Sequence, residues 1–142
     1  MAMRAGARCL TVIGGAARPE RLALGQGGYY LITGVWPLIH MGSFEAVTGP
    51  KTDRWLVKTV GVVVAVVGAV LALAGVRRRV TLEITLLAAG SAGGLGLIDF
   101  VYGGSGRISR IYLLDALVEA VLVAQWARAR GVERRRTWWR RG

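Results

Sequence analysis

Four apolar stretches, separated by short polar segments, set the pattern of this chain. The clearest is residues 55–76, WLVKTVGVVVAVVGAVLALAGV, in which Lys58 is the lone charge. Residues 80–102, VTLEITLLAAGSAGGLGLIDFVY, form a second long stretch. Residues 28–40 (GYYLITGVWPLIH) and 111–126 (IYLLDALVEAVLVAQW) are shorter. A helix rises 1.5 Å per residue, so about 20 apolar residues cross a ~30 Å hydrocarbon layer. The two long stretches meet that length directly. The stretch at 28–40 reaches it only if its helix extends back toward Leu22 or forward through Phe44. Pro37 sits inside it, and a membrane helix tolerates such a proline where neighbours satisfy the freed carbonyl. The pattern predicts an all-α protein, a four-helix transmembrane bundle.

Composition agrees. The chain of 142 residues is 54% hydrophobic yet carries a net charge of +11. A soluble domain of this size rarely combines the two. The charge gathers in the leader, at Arg77-Arg78-Arg79 and in the arginine-rich end after Trp126. With four spans these three regions share one side. Excess Lys and Arg mark the cytoplasmic side, so both termini are expected there. Gly49-Pro50 then turns outside between the first two spans. GGSGRIS (103–109) turns outside between the last two.

Three regions are expected: a cytoplasmic leader at 1–21, a membrane domain at 22–126 and a basic tail at 127–142. The leader, MAMRAGARCLTVIGGAARPE, has arginines before a short apolar patch, but glycines interrupt the patch and no clean cleavage site follows. Its Cys9 is the single cysteine, which excludes an intrachain disulfide and a multi-cysteine metal site. The tail's arginines, with Trp138 and Trp139, suit anionic headgroups and the membrane interface better than nucleic acid.

Small residues recur at four-residue spacing: Gly61, Ala65 and Ala69; Gly90 and Gly94; Ala89 and Gly93; Ala92 and Gly96. Such rows let helix backbones approach closely. GLGLID (94–99) imitates part of a dinucleotide fingerprint, but it lies inside an apolar helix with no preceding strand, so no cofactor is inferred.

Candidate chemistry lies with the acids. Charged groups within a span are costly and should face protein or water. Asp115 and Glu119, four apart, share a helix face that Tyr112 and Trp126 continue. Glu83 stands four residues after Arg79, as in an ion pair at the cytoplasmic boundary. In the predicted topology Asp99, Asp115 and Glu119 occupy the outer half, where His40, Glu45 and Lys58 also fall. One outward polar pocket lined by these six residues is expected. No ligand spacing selects a metal. His40 and Ser43 are close in sequence, but nothing marks a nucleophile elbow or oxyanion hole.

FEAVTGPKTDRWLVKTVG and ISRIYLLDALVEA together resemble small four-helix bacterial inner-membrane proteins of unassigned activity, over residues 29–126. The resemblance implies the fold and location and carries over no residue role. Small multidrug transporters share the size and span number, but they rely on an acid in the first span, and here none precedes Glu45. The leading expectation is a membrane binding or structural module. A proton- or cation-coupled transporter, built as an oligomer because four short helices enclose little volume, is the second. A membrane-embedded enzyme using carboxylates as acid and base is the third.

Overall fold

The computed structural model describes residues 17–138, with side chains as far as residue 131. Most of the leader, including Cys9, and the end of the tail lie outside the described residues. Five helices follow one another: α1 (Pro19–Ile39), α2 (Met41–Thr48), α3 (Arg54–Val76), α4 (Leu82–Gly104) and α5 (Ile111–Trp138). The described residues contain no strand, so the expected all-α class holds. Two helices, α3 and α4, are long and apolar enough to cross a membrane.

The helix ends follow local chemistry. Pro19 opens α1, where its missing N–H costs nothing, and Glu20 sits in the positive first turn. This start lies well before the apolar stretch at 28–40. Hydropathy does not register it, because Gln26 and several glycines dilute the signal. Pro37 stays within α1 and packs toward Gly61. The eight-residue α2 is an addition to the expected four helices. Gly49 ends it at φ 86°, a left-handed conformation that glycine adopts without a Cβ clash. Thr81 caps α4 by accepting from the Ile84 N–H. Arg78 ends the turn after α3 at φ 51°, a position that ordinarily favours glycine. The helix α5 runs through Trp126 without a break, so the start of the basic tail is helical.

The helices form two close pairs. In the first, α1 and α3 run antiparallel with backbones in direct contact. A Cβ at Gly27 would lie 2.5 Å from the Ala72 nitrogen, and one at Gly34 would lie 2.6 Å from the Ala65 nitrogen. Across from them, a Cβ at Gly68 would lie 2.7 Å from the Leu31 nitrogen. Gly75 likewise faces the Glu20 carbonyl at 2.8 Å. These glycines repeat every seven residues on both helices, which keeps one seam facing its partner. The predicted Gly61–Ala65 row belongs to this contact, whereas Ala69 is exposed.

The second pair is α4 with α5. Ala92 and Gly96 face α5, and a Cβ at Gly96 would lie 2.9 Å from the Glu119 Cβ. The expected rows through Gly90, Gly93 and Gly94 meet nothing within 4 Å. Spacing alone identifies a close-packing face, and these glycines lie off the one that α4 uses.

Much of the apolar surface remains uncovered. In the most apolar windows of α3 and α4 only 28% and 22% of the residues are buried. Val62, Val63 and Val66 of α3 and Leu86, Leu97 and Phe100 of α4 are exposed. Contiguous apolar surface on this scale marks a site covered by something other than water.

Candidate functional site

Polar side chains from α1 join the two pairs. Gln26 is buried at the meeting of three helices. Its amide nitrogen donates to the Ala88 carbonyl of α4 at 2.8 Å. Its amide oxygen accepts from the Trp126 indole of α5, also at 2.8 Å. A turn further along α1, the Tyr30 hydroxyl donates to Glu119 Oε2 at 2.9 Å. Beside it, the Tyr29 hydroxyl donates to Asp115 Oδ1. The helices α1 and α5 run antiparallel, Gln26 meeting Trp126 near one end and the adjacent Tyr29 and Tyr30 meeting Asp115 and Glu119 further along.

The local fold makes this possible. Gln26 and Tyr30 are four apart and fall on one side of α1. Asp115, Glu119 and Trp126 make the matching stripe on α5. Gly68 of α3 leaves room for Tyr30, whose Cβ would lie 2.9 Å from a Cβ placed there. Trp126 and Glu119 are each only 1% exposed, so their polar atoms depend on protein partners. Asp99 of α4 is 8% exposed, and no described donor meets its carboxylate. It lies within electrostatic reach of Glu119, as does Asp115.

Of the six residues expected to share a pocket, the structure thus gathers Asp99, Asp115 and Glu119. The other three have separate surroundings. His40 is exposed and caps α2, its Nδ1 accepting from the Ser43 N–H at 3.0 Å. The Ser43 hydroxyl donates to the His40 carbonyl and accepts from the Trp36 indole, so the His40–Ser43 pair is a helix cap. Glu45 is held by Arg54, whose Nε and Nη2 lie 2.9 and 2.6 Å from its two oxygens. Those charged hydrogen bonds hold the Glu45 carboxyl below its ordinary range. The Lys58 side chain is exposed on α3. His40 and Glu45 thus find partners close in sequence, and no described contact joins either to the interior acids.

No described lysine or arginine pairs with the interior acids; the ion pair among the described residues is Glu45–Arg54. The expected Arg79–Glu83 pair is likewise not formed. Lys51 instead lies over the Tyr112 ring at 4.8 Å and donates to the Thr48 carbonyl. Among the described residues, no three His, Cys, Asp or Glu side chains gather closely enough to hold a metal ion.

The residues that sequence reasoning missed are Gln26, Tyr29 and Tyr30. No local signal marked them: the four-residue step from Gln26 to Tyr30 meets the seven-residue step from Trp126 to Glu119. On the outer face of the α4–α5 pair, an apolar groove of about 690 Å³ runs along Gly93, Leu97, Phe100 and Leu117. Comparison with known protein families, curated proteins and solved structures gives no match.

Proposed function

We propose that this chain is a multi-pass protein of a bacterial plasma membrane, with both termini cytoplasmic and with a binding role centred on the acids between its helix pairs. The observation that carries the binding role is the set Asp99, Asp115 and Glu119, enclosed by helices and facing no described cationic side chain. Interior acids of this kind are expensive in a bilayer and ordinarily serve ion or proton pathways. The membrane role rests on α3 and α4, whose long apolar faces are left uncovered. In this reading α1 and α5 also span, each turning its polar stripe inward and its apolar residues outward. Trp55, 69% exposed at the start of α3, marks the outer interface, and Arg77 to Arg79 mark the inner one. The basic tail lies on anionic lipid.

Topology supplies the first test. In a Cys9→Ser background, Thr52→Cys should react with a membrane-impermeant maleimide in intact cells. Arg78→Cys should react only after lysis. Equal labelling of both sites in intact cells would refute the four-span arrangement. Native mass spectrometry of gently extracted protein would report oligomeric state and any retained ligand together.

A second reading is transport coupled to protons or cations, favoured by the position of Asp99 and Asp115 in the outer half of their helices. It predicts that Asp115→Asn abolishes pH-driven flux in proteoliposomes while the helical fold survives. Wild-type protein that moves no tested cation or amphiphile would rule that reading out.

A further inference from the structure

The two helix pairs differ in how they are held. Inside the α1–α3 pair, backbone meets backbone along a glycine seam, and no side chain can rearrange to loosen it. Between the pairs, α3 and α4 touch little, and α1 meets α4 and α5 through the hydrogen bonds of Gln26, Tyr29 and Tyr30 beside a small apolar cluster of Leu22, Ala23, Ala88, Trp126 and Ala129. A stiff α1–α3 unit set against a second helix pair across a small seam is the layout of a rigid-body joint.

We propose that this seam is a proton-binding joint: Glu119 holds a proton while the pairs are closed and releases it as they part. This rests on the membrane and binding reading above and names its ligand. Three observations point to the proton. Glu119 is 1% exposed, with its Cβ and Cγ against the Gly96 backbone position and its carboxyl on the Tyr30 hydroxyl. The interior acids do not converge as metal ligands. Asp99, 8% exposed and without a described hydrogen-bond donor, lies within electrostatic reach of Glu119.

The groups around Glu119 are few. From α1 come Tyr29, Tyr30 and the neutral Gln26. From α4 come Asp99 and Ser91, whose hydroxyl is near Tyr30. Its own helix adds Asp115. From α3, Gly68 lies behind Tyr30, and no described cation forms an ion pair with Glu119. An ionised Glu119 in the closed seam would meet only the Tyr30 hydroxyl and two further acids. On opening, its O–H bond breaks, the proton passes to water entering the seam, and the carboxylate becomes hydrated. No oxidant or second reactant is needed.

Linkage fixes the sign. If the closed state binds one more proton than the open state, closure is complete at low pH and weakens as pH rises. The open-to-closed ratio then climbs about tenfold per pH unit for each proton released. Spin labels at Ile39 of α1 and Leu114 of α5, both exposed, report the gap between pairs in proteoliposomes of the Cys9→Ser chain. Labels at Ile39 and Val60 report the gap within the α1–α3 pair. The between-pair distance should lengthen between about pH 5 and pH 9 while the within-pair distance stays fixed. Glu119→Gln, neutral at every pH and still able to accept from Tyr30, should stay closed throughout. A wild-type between-pair distance that ignores pH overturns the proposal. So does a Glu119→Gln protein that follows the wild-type curve. Flotation of the same samples separates this from the membrane reading: a chain that does not float with lipid refutes that reading, whereas one that floats without a pH response refutes only the joint.

Discussion

Gly27→Leu should abolish assembly of the bundle. The first atom of any side chain at this position would lie 2.5 Å from the Ala72 nitrogen and 2.8 Å from the Gly68 carbonyl oxygen. Both obstacles are backbone, so relief requires moving α3 bodily away from α1. Ordinary overpacking costs about 1–3 kcal/mol, because neighbouring side chains can shift. Here none can, and the cost should exceed that range. Separating the helices would also displace Tyr30, which sits over Gly68, and so detach the seam to α5. The check is circular dichroism and gel filtration in detergent, with Gly93→Leu as the control. Gly93 meets nothing within 4 Å, so that variant should remain folded. If both leucine variants behave alike, the glycine contact between α1 and α3 is wrong.

Gln26→Met should have the next largest effect, and a double-mutant cycle can show its cause. Methionine keeps the side chain's length but removes both its donor and its acceptor. The Trp126 indole N–H would then be buried without a partner. Leaving a buried group unpaired costs about 1–3 kcal/mol. Trp126→Phe alone should also destabilise, by stranding the Gln26 oxygen and removing packing. In the double variant neither polar group is left behind, so its loss should be smaller than the sum of the single losses. Reversible unfolding in mixed detergent and SDS micelles would measure all four proteins. Strict additivity would mean that Gln26 and Trp126 do not act on each other as described.

How much of this was legible beforehand depends on what each signal measures. The long stretches at 55–76 and 80–102 were visible because apolar length is a property of the sequence alone. The shared face of Asp115 and Glu119 was visible because helical spacing is local. The partner stripe on α1 was not, since Gln26 falls before the apolar stretch and its value lies in Ala88 and Trp126, far away along the chain. His40, Glu45 and Lys58 misled for the opposite reason. Their crowding in sequence suggested a shared pocket, but short-range capping and the Arg54 pair engaged two of them locally. Small-residue spacing was similarly half informative: Gly61 and Ala65 found a partner helix, while Gly90 and Gly94 did not.

The long-range seam also has a consequence for how the protein is made. Tyr30 and Glu119 are 89 positions apart, and Gln26 and Trp126 are 100 apart. At a synthesis rate of roughly 5–20 residues per second, several seconds or more separate the emergence of one side from that of the other. The α1–α3 hairpin is complete well before α5 exists, because its glycine contact needs nothing from the rest of the chain. During that interval a glutamine and two tyrosines stand at the edge of a finished hairpin without their acceptors and donors. The newborn chain therefore passes through a half-built stage in which those polar groups still lack the residues that pair with them.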